Sequence, residues 1–277
     1  MTLIFFITVT TSTYASDQFD GHNVYVVDQG QGPVIVLIHG LGADSTRWQA
    51  NIDVLAKTNR VIAIDLLGFG RSDKPDVAYR MQLYVSQIAE VLHARDIEKA
   101  TLIGNSMGGL VALLFAEKYS ERTTALTLVA PAFVFGLPSN VSADRLASGA
   151  SPKTPAAMRA YLERIYHEPD LSPDSIAIAL TEKEAVNDTA TIKSVAESLV
   201  SGEDILTRDR LRRITASTLI IHGSSDGVVP VSRSRLITEL LPNAELVVRR
   251  NVGHWPQLED AEYFNKSILK WLNTKVK

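Results

Sequence analysis

Three features of this 277-residue sequence predict an α/β fold with a mostly parallel sheet covered by helices on both faces. Short apolar runs rich in Val, Ile and Leu recur along the chain, as strands buried on both faces require. Segments with apolar residues at helical spacing alternate with those runs. One stretch, residues 136–212, breaks the rhythm: it holds prolines at 138, 152, 155, 169 and 173 and no buried-strand pattern. It reads as a helical cap inserted between two strands, lying over the carboxyl ends of the sheet, where such sheets bind ligands.

In chain order, VYVV (24–27) reads as the first strand and ends at the turn residues DQGQGP (28–33). VIVLIH (34–39) and RVIAID (60–65) are buried strands. The helix between them opens at Asp44 or Ser45 and buries Trp48, Ile52 and Leu55. A helix near 81–96 places Met81, Tyr84, Ile88, Val91 and Leu92 on one face. ATLIGN (100–105) is a strand, followed by a helix over about 107–119 and the strand ALTLVA (125–130). Within the insertion, AAMRAYLERIY (156–166) and SIAIALTEKEAV (175–186) have helical patterns. STLIIHG (217–223) and AELVVRR (244–250) are further strands, with a helix beginning near Pro230 between them. The last helix, about 260–273, turns Phe264, Ile268 and Trp271 inward.

Composition narrows the function. A formal net charge of −3 with scattered Lys and Arg offers no nucleic-acid footprint; the densest basic cluster, RDRLRR (208–213), reads as a solvated helix face. There is no cysteine, which excludes disulfides, thiolate metal sites and a cysteine nucleophile. Residues 1–16, MTLIFFITVTTSTYAS, resemble the apolar region and cleavage zone of a secretory signal peptide, although no Lys or Arg precedes the run; a structural strand is the alternative. The first reading implies a secreted or periplasmic protein, the second a cytoplasmic one. The leader is too short to span a bilayer, and no other apolar run approaches that length, so no stable membrane insertion is expected. The pattern does not indicate an oligomeric state.

The chemistry concentrates at GNSMGG (104–109). A strand ending at Asn105 and a helix starting near Met107 put Ser106 on a sharp strand-to-helix turn. That is the geometry that exposes a serine Oγ and aims a helix N-terminus at developing negative charge. Gly104 and Gly108 would remove side chains where strand and helix crowd. A glycine-rich connection with an incidental serine is the bland alternative. A serine hydroxyl needs a base. His254, in NVGHWPQLE after a strand, lies at the same sheet edge as Ser106; His222, ending STLIIHG, is the rival, and His22, His93 and His167 lie elsewhere. Asp226, in the loop GSSDGVVP, is positioned to fix the imidazole tautomer. The loop HGLGADSTRW (39–48) supplies Leu41 N–H, which with Met107 N–H forms the expected oxyanion site; Gly40 and Gly42 let the backbone approach a substrate. His39 reads as a packing residue of that loop.

HGLG (39–42), DLLGFGRSDKP (65–75), GNSMGG (104–109), SSDGVVP (224–230) and GHWPQLE (253–259) occur in the order found in the α/β-hydrolase superfamily, which this chain resembles over about residues 20–135 and 213–275. The resemblance implies an eight-stranded, mostly parallel sheet, a helical cap over 136–212, the order Ser106, Asp226, His254, and acyl-enzyme chemistry with no cofactor and no metal. A serine at the elbow argues against the related haloalkane dehalogenases and epoxide hydrolases, whose nucleophile is aspartate. GNSMGG and GHW are also similar to the meta-cleavage-product hydrolases, which break carbon–carbon bonds in vinylogous diketo acids. There Asn105 and Trp255 match positions used with the substrate; Gly40 is expected at the substrate only through its loop backbone. Those enzymes hold the substrate's charged end with a cap arginine. The comparable helix here (175–188) has none, and Arg159 and Arg164 lie earlier in the cap. The expected function is a serine carboxylesterase acting on small-molecule esters, with carbon–carbon hydrolysis and non-catalytic ligand binding as alternatives.

Overall fold

The protein is described by a computed structural model over residues 13–137, 139–186 and 188–275. Eight strands form one sheet: β1 (Thr13–Phe19), β2 (His22–Gly30), β3 (Val34–Ile38), β4 (Arg60–Ile64), β5 (Ala100–Asn105), β6 (Thr123–Val129), β7 (Thr218–Gly223) and β8 (Ala244–Arg249). Their spatial order is β1-β2-β4-β3-β5-β6-β7-β8. The β1–β2 and β2–β4 pairs are antiparallel and the rest parallel. Each apolar run expected to be a strand is one or lies within one, with ends shifted by at most three residues.

The amino-terminal strand is a correction. VYVV is the middle of β2, not the first strand; β1 precedes it and pairs Phe19 with His22 through Val24 with Asp17. Most of the leader reading, residues 1–12, lies outside the described residues, while 13–16 open β1. Asp17 is anchored there by Arg95, which also donates through Nε to Asp28 at 3.0 Å. An edge strand with exposed polar positions has little apolar alternation, so its pattern resembles a loop.

Helices cover both faces: α1 (Gln49–Leu55), α2 (Met81–His93), α3 (Met107–Lys118), α4 (Ala143–Ala150), α5 (Pro155–Ile165), α6 (Pro173–Val186), α7 (Thr189–Ser201), α8 (Arg208–Arg212), α9 (Val231–Leu240), α10 (Pro256–Glu259) and α11 (Ala261–Lys275). One core packs α2 and α3 on the sheet through Met81, Tyr84, Ile88, Leu110 and Phe115. The other packs α1 and α11 through Trp48, Leu55, Phe264 and Ile268. Truncating a fully buried side chain of this size costs about 2–5 kcal/mol. Helices α4 to α7 stand between β6 and β7. Among them α7 buries Ile192, Val195 and Leu199 in the first core, whereas α5 and α6 form a satellite cluster with Trp255. In α8, Arg210 is not merely solvated: it grips Glu117 with two bonds of 2.7 and 2.5 Å.

Candidate active site

Ser106 is the single residue between β5 and α3. Its backbone has φ 55° and ψ −118°, a conformation that costs a non-glycine residue about 1–3 kcal/mol. The glycines make the turn possible. A Cβ on Gly104 would stand 2.1 Å from Gly108 O, and one on Gly108 would stand 2.4 Å from Ile38 O. The strained residue is pinned by its N–H to Val129 O at 2.9 Å, and its carbonyl accepts from Gly109 and Ala132 N–H at 2.9 and 3.1 Å.

Asp226 and His254 meet above the same edge. Asp226 Oδ1 accepts from the N–H groups of Val228 and Val229 at 2.7 and 2.8 Å. Oδ2 accepts from His254 Nδ1 at 2.7 Å, which leaves the lone pair of a neutral His254 on Nε2. Burial alone would raise the Asp226 carboxyl. The His254 charge, the bonds from His222 and His254, and Val229 N–H outweigh it and hold the group well below the usual carboxylate range. Ser106 and His254 line one cavity. Among the described residues no hydrogen bond from Ser106 Oγ is formed; the contact runs from Asp226 to His254 and does not continue to the serine.

His222, the rival base, is fully buried and faces the other side of the same carboxylate. Its Nε2 lies 2.9 Å from Val229 O and 3.1 Å from Asp226 Oδ2, two acceptors, so Nε2 carries the proton. Nδ1 then accepts from Ser234 Oγ at 2.7 Å. His222 is thus a second donor toward Asp226, away from the cavity. Sequence reasoning weighed it only as a base, and the IHG run gives no sign of this role.

The loop after β3 lies against the elbow: a Cβ on Gly40 would be 3.0 Å from Ser106 Cβ. This brings the Leu41 backbone and the start of α3 at Met107, whose first N–H groups have no intrahelical partner, to the two sides of Ser106. His39 packs as expected. Its Nε2 accepts from Leu66 N–H at 2.9 Å, so its Nδ1–H donates to Gly40 O at 2.8 Å. Burial lowers its pKa, opposed by Asp65. Asn105 spends its amide nitrogen on Val129 O and His254 O at 3.1 and 3.3 Å, so it joins the elbow to the His254 loop. Trp255 is edge-on to Tyr166 at 5.3 Å and carries Arg47 over its ring at 4.6 Å.

The cavity measures about 470 Å³. Its wall combines apolar groups, among them Phe133, Phe135, Val229 and Trp255, with Arg145, Arg164 and Arg233; among the described residues no Asp or Glu lines it. Arg164 lines this wall while its guanidinium donates to Ala160 O at 3.3 Å and Gly149 O at 3.2 Å; Arg159 does not line it and donates to Leu171 O. The chain of α5 docks on the relay loops: Ile165 O accepts from His254 N–H at 2.6 Å and Arg164 O from Gly227 N–H at 3.0 Å. Sequence reasoning also passed over Lys183 of α6, which is buried against Gly42.

A fold of this order with a serine elbow defines a class, and the comparisons agree with it. The family model for the alpha/beta hydrolase fold matches residues 33–261. The chain belongs to that family and is a hydrolase. It is 34% identical to 2-hydroxymuconate semialdehyde hydrolase of Pseudomonas sp. strain CF600, over 86% of each chain. The solved meta-cleavage product hydrolase of Pseudomonas fluorescens IP01 is 30% identical, with a TM-score of 0.81 over 92% of this chain and 95% of that one. The esterase of Exiguobacterium antarcticum is 26% identical, with a TM-score of 0.81 over 95% of this chain and all of that one (100%). Among the described residues no helix is long and apolar enough to cross a membrane.

Proposed function

We propose that this chain is a serine hydrolase of the meta-cleavage-product type, which cleaves the bond beside a ketone in an apolar substrate bearing a carboxylate. The observation that carries the reading is the cavity wall: apolar sides reaching Ser106, three arginines and, among the described residues, no acidic residue. Such a wall suits an anion with a hydrocarbon body. The relative named 2-hydroxymuconate semialdehyde hydrolase and the solved meta-cleavage product hydrolase support it.

His254 Nε2 takes the proton from Ser106 as Oγ attacks the carbonyl carbon. The oxyanion is received by Leu41 and Met107 N–H, and Asp226 stabilises the imidazolium. The departing carbon takes the proton from His254. Water, activated by the same imidazole, then releases the acid and restores Ser106, so one water is consumed per bond broken. Carboxylic ester cleavage is the second reading. It differs only in that an alcohol leaves, and it is favoured because α6 presents Lys183 to Gly42 rather than an arginine to the cavity. The test is a side-by-side kcat/KM for a coloured 2-hydroxy-6-oxo-dienoate and for p-nitrophenyl esters. A preference for the dienoate of tenfold or more upholds the first reading, and the reverse upholds the second. Failure of a fluorophosphonate to label Ser106 would remove both, leaving ligand binding.

A further inference from the structure

A buried cation stands where no acid pairs with it. Lys183 is only 4% exposed, yet its Nζ donates to Gly42 O at 2.5 Å and to Ala150 O at 3.1 Å, and lies 4.6 Å from the centre of the Tyr161 ring. Among the described residues no carboxylate forms an ion pair with it; Asp44 and Arg47 face it from the segment after β3, Tyr161 from α5, and α4 offers the Ala150 carbonyl. The atom it holds belongs to the turn Gly40–Ala43, where Gly42 has φ +67° and Ala43 N–H closes on Gly40 O at 3.3 Å. His39 Nδ1 binds that same Gly40 O. The turn is therefore gripped at Gly40 by the histidine just after β3 and at Gly42 by a lysine of α6. Leu41 lies between them.

We propose that Lys183 is a positioning residue for the oxyanion loop: its ammonium, brought by α6, holds the Gly42 carbonyl and so sets the direction of Leu41 N–H only when the cap is seated. The proposal rests on Leu41 N–H serving as an oxyanion donor in the serine-hydrolase reading above. A role in packing alone would be met more cheaply by an apolar residue, since burying an unpaired ammonium is unfavourable. Burial, reinforced by Arg47 and opposed by Asp44, pushes the Lys183 ammonium down to about 7. Below about pH 7 the folded protein carries the charge and its full desolvation cost. Between there and the unfolded lysine's value near 10.4 that cost disappears, so this group makes stability rise with pH.

The test compares full-length wild type with Lys183→Met, using p-nitrophenyl acetate and fluorophosphonate labelling of Ser106 across about pH 6 to 10. The variant should melt no lower than wild type at pH 6. Its kcat and labelling rate should fall about tenfold or more there, with KM changed less than about threefold, because a misaimed donor weakens the transition state. The gap should narrow above about pH 7, where wild type loses the same charge. Equal kcat and the same pH profile in a folded variant overturn the proposal. If the variant does not fold, wild type decides: amide exchange at residues 41–43, corrected for its intrinsic pH dependence, should accelerate between pH 6 and 9, and unchanged protection overturns it. Absence of Ser106 labelling in wild type would sink the serine-hydrolase reading and this proposal with it, whereas labelling with unaltered variant kinetics sinks this proposal alone.

Discussion

Asp226 Oδ2 is shared by two imidazoles, His254 Nδ1 at 2.7 Å and His222 Nε2 at 3.1 Å. One imidazole lines the cavity and the other is fully buried, with Val229 O fixing its tautomer and Ser234 Oγ donating to its Nδ1. Replacing His222 by Phe should leave the carboxylate short of a donor. A lost hydrogen bond to a charged group costs about 1.5–3 kcal/mol, so melting temperature and kcat should both fall. His222→Gln, which restores an N–H donor, should recover part of kcat. Steady-state kinetics with calorimetry on the two variants checks this.

The Asp226 carboxyl is held below the usual range, so it contributes stability that is complete above the unfolded value near pH 4 and is lost as pH falls through the folded value. Melting temperature measured from pH 6 to 3 should therefore drop more steeply in wild type than in Asp226→Asn. The same variant should lose about four orders of magnitude in kcat at neutral pH, because an amide can hold His254 in the wrong tautomer.

Ser106→Gly removes the nucleophile and also relieves a left-handed backbone. It should abolish turnover while raising stability by about 1–2 kcal/mol, as read by chemical denaturation. Ser106→Ala should abolish turnover without that gain. By contrast, Gly104→Ala sets a Cβ against Gly108 O at 2.1 Å and should unfold the elbow or render the protein insoluble.

Arginines at 145, 164 and 233 should act on carboxylate substrates and spare neutral ones. Arg164→Ala or Arg233→Ala should raise KM for a dienoate about tenfold, equivalent to ~1.4 kcal/mol, with little change for p-nitrophenyl acetate. The dienoate effect should also weaken with added salt. Equal losses on both substrates would mean that the wall was damaged rather than discharged.

What could be read beforehand follows from how local each cause is. The elbow was legible because steric exclusion writes itself as glycines at fixed offsets from Ser106. Strands β3 to β7 were legible because burial on both faces leaves unbroken apolar runs. Strand β1 was not, since its partner His22–Asp28 supplies the order that its own residues do not encode. His222 and Lys183 were missed for a related reason. Lys183 has a role only through atoms distant in sequence, Gly42 and Ala150, whereas His222 meets Asp226 and Ser234 a few residues on, through a loop path that the residue pattern does not fix. Arg164 could be suspected but not placed, because the pattern of α5 fixes its buried face and not where that face docks.

The carboxyl end of α5 receives the amides of His254 and Gly227, so that helix is riveted to the two loops holding the proton relay. Lifting α5 would dismantle the machinery it shelters. Bulk added at Val141, which lines the chamber beside Asn140 and Leu146, would narrow the space while leaving the α5 contacts in place.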